Sequence, residues 1–260
     1  MQQMRKDLGE GALDELQASL FAPRPPEFLF NIKEDPWETK NLADDPAQQK
    51  RLKKMRAQLK AKLVAERDVH LLPEYEIGLV SQEGTAYEFR LDDNNYPIKE
   101  VYAAASLSGF RGADVTKQQV ALLKDKNRFV RYWAALGLLS QNKQDLAPYE
   151  AEIAAAMNDS YPPAGVTAAA LMWRNFEAPA AEGKIKDYFQ HDNWFIKLMA
   201  INYLFYVDNR EPFIDAVNAL NDHCRTAKVD KSEKQRLKYV STSCIIFFEI
   251  LEREALYAAE

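Results

Sequence analysis

Three histidines and two cysteines are the side chains of this 260-residue chain best suited to metal or nucleophilic chemistry. Their spacing gives them little to do together. His70, His191 and His223 stand far apart, whereas a metal site legible in sequence brings its ligands at short intervals. Asp222-His223-Cys224 places a carboxylate, an imidazole and a thiol side by side, yet no second ligand cluster accompanies them. A thiol on a helical core face is usually inert. A Cys224–Cys244 disulfide is an option if the chain is exported, and two cysteines alone do not fix the compartment. The catalytic and metal-ligating sets are therefore read as empty.

Binding chemistry is better represented. Lys50, Arg51, Lys53, Lys54, Arg56, Lys60 and Lys62 crowd one segment in which Leu52, Met55, Leu59 and Leu63 recur at spacings of three and four, the signature of an amphipathic helix. Two readings are open: Lys50, Lys53, Lys54 and Arg56 form a stripe that contacts a polyanion, or the stripe is a solvated face whose long stems cover apolar surface. Trp194 is expected at a turn tip, where its ring could meet a sugar, while Trp133 and Trp173 fall mid-helix and read as core. A formal charge of −5 argues against nucleic acid as the main partner. No apolar run approaches the roughly 20 residues of a membrane span, and the first residues lack the apolar stretch of a signal peptide.

The elements that must carry these groups begin with an apolar run, Phe28-Leu29-Phe30-Asn31-Ile32, bounded by Pro25-Pro26 and Asp35-Pro36. Proline on both flanks predicts a short strand over about 27–32. A strand needs neighbours, and the rest of the chain offers few. Asp44, Asp45 and Pro46 then open a helix over about 46–65, acidic at its positive end and with proline in its first turn.

Asp35, Pro36, Glu38, Asn41, Leu42 and Ala43 match the pattern D-P-x-E-x-x-N-L-A. In this the first 75 or so residues resemble the end of the small C-terminal subdomain of type I sulfatases similar to heparan N-sulfatases. Leu71-Leu72-Pro73-Glu74 resembles the Leu-Ile-Pro-Glu that follows the last helix there, and Phe30-Asn31 replaces the family's Tyr-Asp. The resemblance implies a parent enzyme that hydrolyses sulfate esters or N-sulfates on sulfated sugars with formylglycine and calcium, in the periplasm or outside the cell. The formylglycine motif C/S-x-P-x-R is absent from this sequence, so no family catalytic residue carries over, and no cofactor is expected in this chain. His70 either faces a parent active site or lies on the surface near a helix end.

From Ile98 onward the chain repeats itself. Asp125, Asp159 and Asp192 are 34 and 33 residues apart; Asp125 and Asp192 each precede an aliphatic-basic pair (Val130-Arg131, Ile196-Lys197) and then an alanine, and Asp159 with Val166-Thr167 and Ala170 is a degenerate middle copy lengthened by two residues before the aliphatic position. Such a period marks stacked helix pairs and resembles HEAT repeats. First helices are expected at about 117–124, 146–157 and 181–190. The turn aspartates are expected to cap second helices whose Val130, Ala134 and Leu138, or Ile196, Ala200 and Leu204, share one face. A last helix, about 231–253, is expected to cap the stack.

The fold class expected is thus mainly α: a HEAT-like α-α superhelix preceded by a remnant strand and helix of a sulfatase C-terminal α+β subdomain. The domains are 1–67, a connector at 68–97 and the repeats at 98–260. Two functions follow, a noncatalytic C-terminal piece of a sulfatase or a stand-alone repeat module for protein–protein interaction. Expected partners are the parent catalytic domain or another protein chain, with a homo-oligomer also open.

Overall fold

In the computed structural model, which describes residues 2–258, the chain forms two units, Met1–Glu66 and Arg67–Glu260. The first contains three helices, α1 Gln2–Gly9, α2 Glu15–Ser19 and α3 Gln49–Glu66. Between α2 and α3 the backbone is held by side chains. Asn41 Oδ1 accepts the N–H of Leu29 at 2.9 Å and of Ala43 at 3.1 Å, Asn41 Nδ2 donates to Glu27 O at 3.1 Å, and Leu42 N donates to Leu29 O at 2.7 Å. Asp35 accepts from Thr39 N, Thr39 Oγ1 and Lys40 N at 2.8–3.1 Å, closing the turn that passes through Glu38 at φ 54°. These bonds, above all that from Lys40 N and then that from Thr39 N, hold the Asp35 carboxyl below its ordinary pKa.

The expected strand is not there. No strand occurs among the described residues; 27–31 run as irregular chain and Ile32 opens a turn. The reason is the one that makes lone strands costly: no neighbouring backbone offers a ladder, and the asparagine side chain takes over the polar groups near Leu29. The apolar content is small as well. Leu29, Ala43 and Leu52 are buried together, while Met55 and Leu59 on α3 are half exposed and Trp37 is 86% exposed. Of the four apolar positions on α3, the unit covers Leu52 fully and leaves the middle two to solvent.

The second unit is helical throughout. Its helices are α4 Glu74–Glu83, α5 Ala86–Phe89, α6 Ile98–Ala105, α7 Ala113–Leu122, α8 Arg128–Leu138, α9 Lys143–Leu146, α10 Glu150–Ala156, α11 Pro162–Phe176, α12 Pro179–Phe189, α13 Trp194–Tyr203, α14 Ile214–Thr226 and α15 Lys231–Ala258. The helices α8, α11, α13 and α15 contact one another in series, and α7, α10, α12 and α14 each lie against the member that follows them in the chain. Val130, Ala134 and Leu138 on α8, and Ile196, Ala200 and Leu204 from the start of α13 onward, are all buried to 1% exposure or less. At Gly165 on α11 the missing side chain admits a neighbour: a Cβ added there would lie 2.2 Å from the Tyr188 hydroxyl of α12. No helix among the described residues is long and apolar enough to cross a membrane.

The helix caps differ from expectation. The turn aspartates do not cap the second helices. Asn127 and Asn193 do, accepting from Phe129 N at 2.9 Å and Phe195 N at 2.8 Å, whereas α11 starts on prolines without a side-chain cap. Asp125 and Asp159 instead accept from the N–H two residues on, in Asx turns, and Asp159 also takes both Nε and Nη2 of Arg131 at 2.6 and 2.8 Å. Residues 68–97, expected as a connector with local structure, do have structure of their own. They carry α4 and α5 and bury Tyr96 and Glu76 within the second unit.

Asn41→Ala would strip three hydrogen bonds from partly buried groups and is expected to cost the first unit about 2 kcal/mol, read as lost amide-exchange protection at Leu29 and Ala43. The sign for Asp35 follows from its lowered pKa. Its support is complete above the unfolded carboxyl's value of about 3.9 and is lost as pH falls through the lower folded value, so the 35–40 turn opens at acid pH, observable by NMR at the Thr39 and Lys40 amides.

Candidate functional site

A buried carboxyl builds the most elaborate site of the second unit. Glu76 of α4 is 4% exposed; its Oε1 pairs with Arg128 of α8, and its Oε2 accepts the Tyr161 hydroxyl at 3.1 Å. The Arg128 guanidinium lies 4.6 Å from the centre of the Phe129 ring. Phe129 is itself met edge-on by Phe89, Tyr96 and Tyr161 at 5.9–6.3 Å. Burial, followed by the charge of Glu76 and its hydrogen bond, raises the Tyr161 pKa far above the usual phenol range, so the hydroxyl stays a donor.

This arrangement lays the segment before α4 across α8. Trp133 Nε1 donates to Leu71 O at 2.8 Å, and a cavity of about 400 Å³ opens between His70–Glu74, the Tyr132-Trp133 pair of α8, and Phe195, Met199 and Tyr203 at the other side. Tyr203 exchanges a hydrogen bond with Thr167 Oγ1 at 2.8 Å. The Tyr132 hydroxyl is pushed up to about 12 by burial and the nearby Glu74. Both phenols are therefore neutral hydrogen-bonding groups and not nucleophiles at ordinary pH.

A second cavity, about 240 Å³, shares Glu74 and Phe195 with the first and adds Tyr75, Trp194, Asp192 and Glu233. Trp194 is here, as the first residue of α13. It is half-buried, edge-on to Phe195 at 5.5 Å and tilted against Tyr239 of α15 at 6.2 Å, so it walls a groove and does not stand free at a turn tip. Aromatic faces beside three carboxyls, with Arg236 engaged by Glu233 at 3.3 Å, suit a polyhydroxylated or cationic group; an anion would meet like charge.

The remaining candidates lie apart. Lys50, Lys53 and Lys54 are exposed on α3, and Arg56 is paired through Nε to Glu27 Oε1 at 2.7 Å within the first unit. His70 is exposed, with Nδ1 2.7 Å from Asp68 Oδ1. Asp222 and His223 face solvent while Cys224 is buried. Cys224 and Cys244 are both buried free thiols, and burial pushes Cys244 up to about 12. Trp173 is core, as its mid-helix place predicts, but Trp133 lines the cavity. Among the described residues no three His, Cys, Asp or Glu side chains come together to hold a metal ion.

Sequence comparison bears on the origin of the chain. It is 41% identical over 78 residues to an ulvan-active sulfatase of Formosa agariphila. Part of the chain is related to a sulfatase. The match takes in 30% of this chain and 13% of the sulfatase, so most of that enzyme has no counterpart in it. No protein-family model matches the chain, and no solved structure does.

Sequence reasoning passed over Glu76, Tyr132 and Tyr203. Glu76 sits in an ordinary acidic helix start, and only its partner 52 residues on, Arg128, explains its burial. The adjacent Tyr132-Trp133, off the Val130/Ala134/Leu138 face, was the available signal.

Glu76→Ala is expected to leave the Tyr161 hydroxyl buried without an acceptor and to lower the stability of the second unit by about 2–3 kcal/mol, measured by chemical denaturation with an unchanged m-value. Glu76→Gln, which keeps an acceptor, is expected to cost less.

Proposed function

We propose that this chain is a noncatalytic C-terminal part of a sulfatase whose parent enzyme acts on sulfated sugars. The observation that carries the reading is the 41% identity over 78 residues. It is supported by Asp35, Asn41, Leu42 and Ala43, which complete the sulfatase-like pattern and together hold the 27–43 loop. The exposed Phe28, Ile32, Trp37, Met55 and Leu59 of the first unit are an apolar surface of the kind buried by further polypeptide, and in this reading the parent catalytic domain supplies it. Formylglycine and calcium belong to that domain, and a periplasmic or secreted location follows from the parentage. The second unit, with its 34- and 33-residue spacing and serial helix contacts, is a HEAT-like superhelix that packs on the catalytic domain, shapes its cleft or mediates oligomerisation.

A second reading, a stand-alone repeat module for a protein partner, is favoured by one feature, the aromatic groove between α4, α8 and α13. The two readings separate on the coding sequence upstream of Met1. A sulfatase catalytic domain with C/S-x-P-x-R in any frame is expected there, and unrelated sequence would transfer the assignment to the module. The purified chain is expected to show no turnover of an aryl sulfate above a buffer control. Calcium-dependent turnover would overturn the noncatalytic reading.

A further inference from the structure

The chain carries a net negative charge, yet in one cavity the only charged side chains of the wall are cations. Between the end of α14 and the first turns of α15 lies a space of about 380 Å³ bordered by Arg225, Lys231, Lys234 and Lys238, with Cys224 and Ser241 beside them and no carboxyl in its wall. Lys231, Lys234 and Lys238 follow at intervals of three and four, which sets them on one face of α15 over roughly 10 Å. All four cations are exposed, and none has an ion pair among the described residues. The neighbouring acids are turned to other work: Asp230 Oδ1 accepts the Glu233 N–H at 2.9 Å, and Glu233 meets Arg236 at 3.3 Å.

We infer that this cavity binds an anionic group, the sulfate of a sulfated saccharide, as a secondary contact for the polymer. Four cations converging on one space repel each other until a counter-ion enters, and several donors at mutual angles match the oxygens of a sulfate group. The wall adds no opposing charge. Cys224 is buried, which raises its pKa and keeps it a neutral thiol, and the Ser241 hydroxyl donates to Asn221 Oδ1 at 2.7 Å. The choice of sulfate over other anions rests on the sulfatase parentage; the cationic cavity itself does not.

The test is titration calorimetry of the full chain with dextran sulfate, unsulfated dextran and single-stranded poly(dT). Dextran sulfate is expected to bind, more weakly as salt rises, and unsulfated dextran is not. The double variant Lys234→Glu/Lys238→Glu, on exposed helix positions, is expected to lose about tenfold or more in affinity with unchanged circular dichroism, whereas Lys53→Glu/Lys54→Glu on α3 keeps it. Absence of binding, equal binding of both dextrans, or loss confined to the α3 variant would overturn the site. Tighter binding of poly(dT) through the same lysines would overturn the sulfate assignment. None of these results alters the sulfatase parentage, which stands or falls on the upstream sequence.

Discussion

A carboxyl taken out of water needs a partner of opposite charge and donors for its oxygens, and Glu76 finds them 52 and 85 residues away. Much of the second unit depends on that requirement. Arg128 begins α8 and Tyr161 immediately precedes α11, so the pair ties the 67–96 segment to two consecutive second helices at once. With α4 fixed, Leu71 comes within reach of Trp133, and the aromatic groove acquires its third wall. The phenols of that groove are partly shielded and neutral, and Tyr203 is hydrogen-bonded to Thr167.

The first unit obeys a different constraint. Having little apolar surface to bury, it relies on polar closure, with Asn41 and Asp35 each gathering several backbone N–H groups of a short loop. Side chains that gather backbone groups substitute for a sheet at close range only. Helix α3 consequently covers Leu52 and leaves Met55 and Leu59 wet.

What the sequence disclosed follows from which interactions are local. The helices of the second unit were readable because their cause is periodic: Val130, Ala134 and Leu138 recur at one helical turn and are all buried. Two of the three caps were misassigned by one or two residues, since Asp125 and Asn127 are both good capping residues and only the backbone angles decide between them, and α11 has no side-chain cap at all. The strand at 27–32 was misread for a more basic reason: strand formation is decided by a neighbour, and composition says nothing about whether one is near. Glu76 and the cavity of Arg225 with Lys231, Lys234 and Lys238 escaped notice because their meaning lies in juxtaposition. The former is a pairing across 52 residues and the latter a convergence of two helix ends.

Arg131 gives the second unit a direction. It grips the Asp125 carbonyl on its own preceding turn at 3.0 Å and the Asp159 carboxyl on the next, so each side of the α8–α11 junction is latched by charge. At the corresponding position of α13, Lys197 donates backward to Phe189 O at 3.1 Å, and no carboxyl of the following turn meets it among the described residues. Under a pulling force the two ends are therefore unequal. Separation at α8–α11 must break a two-pronged ionic latch before apolar surfaces part, while the segment entering α14 is tied back by single hydrogen bonds such as Trp173 Nε1 to Asn209 O at 2.9 Å, which makes the α15 end the more compliant one.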